Sequence, residues 1–327
     1  MSVASRYPKF GQFNAAIGSR VPNSIEKYPE YQKLRPNREL LKREQLDLLH
    51  ILREKMHLDV TELVPEEKTP LCCFVEDLAI VFNGKALLTR GLKSGDPREL
   101  EIKSLKIALK DYGIDILFMD DSSALAMTPP LEMNGAAATE EMENGVGEKE
   151  AKRIVGGDVL FTGYEFFVGI SYFTNVEGAM EFASKMTDLA VTIVKLPLDK
   201  SNDPEIKSRR LKDYISVACE GLIVYADTAD GNFLMKQIIN NSSYDYNTVR
   251  MRAEFLSNCI YINGYLLYPD TGNTLCADGE SDYKLLDQLI SRIPVPASEF
   301  SRVKTALSRR VLIFDAPHTH GARRHFP

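Results

Sequence analysis

GGDVLFTGYEFFVGIS, residues 156–171, holds two short apolar runs joined by a Thr162-Gly163 turn, and it is followed by a helical stretch over 176–186 and a strand, AVTIVKL, over 190–196. The same grammar stands earlier in the chain. CCFVEDLAIVFNGKALLTR, residues 72–90, places Asn83-Gly84 between two apolar runs, the pairing favoured in two-residue hairpin turns. An amphipathic stretch over 97–112 follows, with Leu105, Ala108, Leu109 and Tyr112 on one face and Asp96-Pro97 as its cap and first residue. DILFM, residues 115–119, then reads as a strand. A third copy is visible in EGLIVYADTADGNFLMKQII (220–239), and a fourth runs from SNCIYINGYLLYP (257–269) through DYKLLDQLI (282–290) to IPVP (293–296). TALSRRVLIF (305–314) starts or completes a fifth. Asp77 and Asp158 occupy matching places, each just ahead of an apolar strand. The copies are long and irregularly spaced, so a closed ring of α/β modules fits better than an open solenoid. Loops converge near the axis of such a ring, and a site there draws one or two residues from each module, which points to the ends of the hairpins.

Outward from the repeats, residues 38–56 place Leu41, Leu48, Leu49, Leu52 and Met56 on one helical stripe. His50 beside the stripe and His57 at its end read as structural. Residues 122–152, with Pro129-Pro130 and a Glu-rich MENGVGEKE, interrupt the repeat and read as a flexible acidic insertion. The final stretch, APHTHGARRHFP (316–327), reads as a disordered tail; its His318, His320 and His325 lack a carboxylate or Cys partner to complete a metal site.

Composition bounds the rest. The chain has 327 residues, 44% hydrophobic and 26% charged, with 40 Lys+Arg against 46 Asp+Glu for a formal net charge of −6. That balance is of a soluble globular protein and disfavours broad binding to nucleic acid or anionic membrane. Small molecules or protein partners are the expected ligands. No segment reads as a membrane span or a signal peptide, so a cytoplasmic location is expected. The five cysteines, Cys72, Cys73, Cys219, Cys259 and Cys276, lack the paired spacing of a zinc site and read as reduced thiols.

On the blocks CCFVEDLAIVFNGKALLTR, GGDVLFTGYEFFVGIS with its following TN and EGA, and SNCIYIN, the chain resembles the dimethylarginine dimethylaminohydrolases. The resemblance implies an α/β pentein-type propeller of five ββαβ-like modules around a pseudo-fivefold axis, spanning 8–315. It implies an amidine C–N hydrolase family that converts methylated arginines to citrulline and an amine, in arginine and nitric-oxide-related metabolism. It implies no cofactor and no metal. The family works with a Cys nucleophile, a His acid/base and an acidic partner, and the matching positions here are Ser308, Arg210 and Val155. Glu76 and Asp77 match the carboxylates that face the guanidinium, and Val21 falls in the lid segment. Tyr164 stands for the arginine after the FTG turn, Asp96 for another family arginine, and Leu71 for an acid ahead of the VED block.

Serine needs a base to take its proton, and arginine stays protonated in proteins. Arg210 also puts a cation where a cationic substrate would sit: at about 5 Å and an effective dielectric near 20, the repulsion is about 3 kcal/mol. The leading expectation is a catalytically impaired member acting as a binding or regulatory protein, with Arg210 paired to Glu76 or Asp77 and filling the guanidinium place from within. The competing reading for the two carboxylates is hydrogen bonding to backbone amides, as expected for Asp158. An active hydrolase with an unusual nucleophile or base, such as a tail histidine, is the alternative. A small anion held by Arg210 and Arg309 is the third reading, and residues 122–152 offer a protein-partner segment.

Overall fold

Each pair of antiparallel strands gains a third, and the sheet pattern is the same every time. The computed structural model describes residues 10–89, 98–119, 152–197, 209–252, 254–272, 286 and 289–319. Strand β1 (Ala15–Ser19) leads through helices α1 (Pro29–Leu34) and α2 (Arg38–His50) to β2 (Asp59–Leu63). Next come β3 (Ala79–Phe82), β4 (Lys85–Leu88), α3 (Glu99–Asp111) and β5 (Asp115–Phe118). The following module has β6 (Val159–Phe161), β7 (Phe166–Ile170), α4 (Val176–Met186) and β8 (Val191–Lys195). Then follow β9 (Ile215–Cys219), β10 (Leu222–Ala226), α5 (Ala229–Asn241) and β11 (Asn247–Met251). Strands β12 (Ile260–Ile262), β13 (Tyr265–Asp270) and β14 (Ser291–Pro296), the short helix α6 (Ser298–Arg302) and β15 (Val311–Phe314) complete the described elements.

These strands form five three-stranded sheets: β3-β4-β5, β6-β7-β8, β9-β10-β11, β12-β13-β14 and β15-β1-β2. In every one the middle strand is antiparallel to the first and parallel to the third, so a crossover is needed between the last two. The closing VLIF therefore starts the fifth module, with Ile17 opposite Leu312, and the N-terminal strand β1 supplies its centre. Middle strands are covered on both faces, which is why β10 is the unbroken apolar run LIVYA, buried at every position.

Five apolar cores join each sheet to the next and return to the start. Ile80, Phe82 and Leu87 pack with Val159, Phe166 and Phe182; Leu160 and Phe167 pack with Ile215, Val217 and Ile223. Ala218, Leu222 and Val224 pack with Leu266 and Leu286; Ile262, Leu267 and Val295 pack with Ala16, Val60 and the α2 stripe. Finally Ala15, Ile17 and Leu312 pack with Val75, Ala86 and Leu105. Each fully buried Leu, Ile or Phe in these seams contributes about 2 kcal/mol. The first strands β3, β6, β9, β12 and β15 all line one central cavity of about 230 Å³.

The stripe predicted over 38–56 is buried as expected, but α2 ends at His50 and the chain continues through a wider, π-type turn, Ile51–Lys55. His50 and His57 are exposed, and His57 takes a left-handed φ of 55° as the chain leaves the turn. Asn83-Gly84 and Asn263-Gly264 have positive φ at both residues, the conformation that two-residue hairpins demand. The second hairpin differs from its expected tight turn. Phe161 faces Phe166 across a four-residue loop, 162–165, with Gly163 at φ 97°.

Helix α3 is preceded by Arg98, whereas Asp96-Pro97 and Cys276 lie outside the described residues, as do most of the fourth-module helix 282–290 and residues 122–151 of the insertion. Lys152 is placed, 2.8 Å from Glu181. At the other end the described chain runs past the expected domain limit at 315: Asn14 Oδ1 accepts from the Ala316 N–H at 2.7 Å, and the chain is followed to residue 319. His320 and His325 lie outside it. Among the described residues no helix is long and apolar enough to cross a membrane.

Candidate functional site

A single 3₁₀ turn precedes the first strand of every sheet: Val75–Leu78, Gly156–Asp158, Leu211–Asp213, Glu254–Ser257 and Ser308–Arg310. Neighbouring turns touch, and so they gather the polar side chains of different modules at one place. The gathering point is the strand-start end of the hairpins, opposite the tight turns.

At its centre is Asp77. Its Oδ2 accepts hydrogen bonds from Arg210 Nη2 at 3.0 Å and Arg309 Nη2 at 2.8 Å. Arg210, Arg309 and Asp77 side chains are all buried, at 6%, 9% and 8% exposure, so water does little to screen these pairs. Burial alone would push the Asp77 carboxyl up, but Arg210 and Arg309 overcome it and hold the group well below the usual carboxylate range. Burial works against the charge on Arg309 in turn, and Asp77 with Asp213 outweighs it and strengthens its hold on the proton. Both guanidiniums have an aromatic floor: Arg210 lies 4.1 Å from the Phe173 ring centroid and Arg309 4.7 Å from that of Phe74. Glu76, the other matched carboxylate, receives Lys212 Nζ at 2.5 Å.

The backbone is shaped for this pairing. A Cβ on Gly157 would come within 2.5 Å of Arg210 Cδ, and one on Gly156 would collide with the Glu76 carbonyl. Asp158 accepts from Ser171 Oγ at 2.6 Å, Thr174 Oγ1 at 2.7 Å and the Leu211 amide at 3.0 Å, so it fixes the residue following Arg210. Burial pushes its carboxyl up to about 6, although these donors pull the other way. Of the two adjacent arginines in the last turn, Arg309 faces Asp77 while Arg310 runs back to α2. There its Nε donates to Gln45 at 3.0 Å and its guanidinium lies 4.0 Å from the Phe300 ring.

At the three positions expected from the resemblance to match the family triad stand Ser308, Arg210 and Val155. Ser308 is half-buried; its amide donates to Asn258 Oδ1 at 3.1 Å and its hydroxyl accepts from Asn258 Nδ2 at 3.4 Å. Arg210 is committed to Asp77, and Val155 is a buried apolar residue whose amide donates to Thr174 Oγ1. The described histidines are His50, His57 and His318, all exposed. His318 packs on Gly113, beyond the C-terminus of the 13-residue α3, about 20 Å along the helix from Arg98. Burial pushes the thiols of Cys72, Cys73, Cys219 and Cys259 up, to about 11 for Cys72 and about 12 for Cys259, where thiolate is scarce at neutral pH. No group of three or more His, Cys, Asp or Glu that could hold a metal occurs among the described residues.

Of the other predicted positions, Val21 is buried with Ile25, Phe74 and Phe300, and Leu71 packs against that cluster. The segment after Val21 is pinned by Glu67, which accepts from the amides of Asn23 and Ser24 at 2.8 Å each. Tyr164 is elsewhere: it sits in the 162–165 loop at the hairpin end, its hydroxyl on Glu220 at 2.7 Å and its ring stacked on Tyr244. Phe173, from the loop after β7, is the second module's aromatic contribution to the cluster. The cation near the start of α3 is Arg98, which is half-buried, pairs with Glu101 at 2.6 Å and adds to the field that holds Asp77 ionised. Arg98, Phe173 and Lys212 were not singled out from the sequence. The only local signal was for Arg98, two residues from Asp96 and at the mouth of a helix.

No family model matches the chain. It is 26% identical over 275 residues to the putative hydrolase DDAH2 of Bos taurus and 25% identical to the human protein of the same name, covering 82% of each chain in both cases. In sequence the chain is similar to DDAH2. Its fold matches that of DDAH from Pseudomonas aeruginosa, solved as a mutant in complex with citrulline, with a TM-score of 0.65 at 18% identity over 93% of this chain and all of the other. The N-terminal domain of ArgZ, a cyanobacterial arginine dihydrolase, gives 0.64 at 14% identity, covering 92% and 98%.

Proposed function

We propose that this DDAH-like chain does not turn over methylated arginine and acts instead as a binding or regulatory protein. The reading rests on one observation above all, the two internal guanidiniums on Asp77 Oδ2. An incoming dimethylarginine would need that carboxylate, and to reach it the ligand would have to displace buried, aromatic-backed arginines that cannot diffuse away. Turnover would further need a thiolate or an activated hydroxyl, and Ser308 has an amide, Asn258, as its polar neighbour rather than a base. A small anion meets the converse obstacle, since Arg210 and Arg309 already share Asp77 and Arg98 is taken by Glu101. The alternative, an active amidine hydrolase of arginine metabolism, gains nothing from His318, which packs away from the cluster. A protein partner engaging residues 122–152 in the cytoplasm completes the proposal.

Thermal melts in the presence of asymmetric dimethylarginine, arginine, citrulline and citrate test the binding half of this reading. No concentration-dependent stabilisation by any of the four is expected. A rise in midpoint with dimethylarginine that appears in Arg210→Met and not in wild type would support competition between the internal and external guanidinium. A rise in wild type that Asp77→Asn abolishes would overturn the claim that the place is filled.

A further inference from the structure

The central cavity is a separate space from the arginine cluster. Asp77, Arg210 and Arg309 do not line it; its walls are the inner strands of all five sheets, and it reaches from Glu76, Lys212, Asn258 and Ser308 at one end to Phe10, Phe161 and Tyr261 at the other. Three observations give it the character of a binding site. First, the walls are mostly apolar and aromatic, with Glu76, Lys212, Asn258 and Ser308 gathered at the strand-start end and Gln12, Asn83 and Asp315 at the hairpin end, the usual division of labour in a small-molecule pocket. Second, Glu76 Oε2 is buried at that end and accepts no hydrogen bond, since Lys212 is engaged by the other carboxylate oxygen. A buried acceptor without a donor is costly, so a donor entering the cavity is favoured. Third, the opposite end is closed by a strap of the N-terminal chain. The Phe10 ring stacks on Tyr261 at 5.7 Å and meets Phe161 edge-on at 5.8 Å. Asn263 ties the strap down, accepting from the Phe13 amide at 2.8 Å, donating to the Phe13 carbonyl at 2.9 Å and donating from its own amide to Gly11 at 2.7 Å. The strap is held by a handful of bonds to a hairpin turn and not woven into a sheet, which makes it the part of the wall most easily moved.

We propose that this cavity binds a small neutral molecule with an aromatic or branched apolar body and one donor head, an alcohol or primary amide. The head donates to Glu76 Oε2, and the body lies among Phe82, Phe161 and Tyr261 beneath Phe10. A neutral head is favoured over a cation because Glu76 and Lys212 already balance each other, and a second cation at that end would be buried without a counter-charge. At about 230 Å³ the space is below that of a drug-sized pocket and suits about ten heavy atoms. The inference does not depend on whether the chain hydrolyses anything.

Fluorine NMR of para-fluorophenylethanol with the full chain tests it, alongside para-fluoroethylbenzene, which lacks the hydroxyl, and para-fluorophenylethylammonium. The alcohol is expected to bind with a Kd of about 1 mM or below and at least about tenfold more tightly than either analogue. Ile313→Trp, which fills the channel from β15, is expected to abolish binding, with Val217→Phe as a second filling variant should the first be unstable. Phe10→Ala is expected to speed exchange without losing the site. The proposal falls if no probe binds up to about 20 mM, which would leave a water-filled channel, if the filling variants bind as wild type does, or if the hydrocarbon or the ammonium matches the alcohol.

Discussion

Replacing Arg210 by Met separates a structural arginine from a decorative one. The Arg210–Asp77 pair is buried on both sides, with 3.0 Å between Nη2 and Oδ2. Taking the charges as about 4 Å apart at an effective dielectric near 20, the attraction is about 4 kcal/mol. The stack on Phe173 adds about 1 kcal/mol. Two terms reduce the loss: Met is free of the cost of burying a guanidinium, and Arg309 still holds Asp77 at 2.8 Å. We expect a net destabilisation of about 3 kcal/mol for Arg210→Met by urea unfolding at pH 7. In the Asp77→Asn background the same substitution should cost about 2 kcal/mol less, which is the coupling between the two side chains. The pH dependence has a definite sign. Asp77 titrates lower in the folded chain than unfolded, so the stability it contributes is complete above the unfolded carboxyl value near 3.9 and is lost as pH falls through its depressed native value. A cost under about 1 kcal/mol for Arg210→Met, or additivity of the two substitutions, would refute the reasoning.

Gly157→Ala should destabilise by about 1–3 kcal/mol through the Arg210 side chain, and its cost should shrink when combined with Arg210→Met, as a double-mutant cycle would read. Asp158 titrates higher folded than unfolded, so its contribution falls as pH rises through about 4 to 6; Asp158→Asn should flatten that limb of the stability profile, which on the value of about 6 amounts to roughly 3 kcal/mol. Alkylation followed by mass spectrometry should leave Cys72, Cys73 and Cys259 unmodified in the folded chain at pH 7.5 and modify all of them in urea, because their raised thiol pKa values and burial both protect them.

How far the sequence carries this account depends on the range of each interaction. The Asn-Gly hairpins and the α2 stripe are local, and residues 83–84 or 41–56 display them without help from the rest of the chain. Ring closure is not local. Strand β1, AAIGS, has small residues at every position but Ile17 and no alternation, and only its place between Val311–Phe314 and Asp59–Leu63 makes it a strand. The pairing of Arg210 with one of the two VED carboxylates was legible because repeat and resemblance both put those residues near the axis. Choosing Asp77 over Glu76 was not, since Lys212, two residues on, takes Glu76. Tyr164 looked like a site residue on block alignment alone, but a four-residue loop carries it to the hairpin end, whereas Phe173 reaches Arg210 from the loop beyond β7. Asp96 illustrates the same limit: the cation that serves the cluster, Arg98, is set by where α3 begins and not by column position.

The central claim is that Ser308, Arg210 and Val155 do not form a working hydrolytic site. Citrulline release from asymmetric dimethylarginine and from arginine, followed for many hours at high concentration of the purified chain beside Ser308→Ala, tests it most directly. The account predicts no citrulline above that control; release that Ser308→Ala abolishes would contradict it.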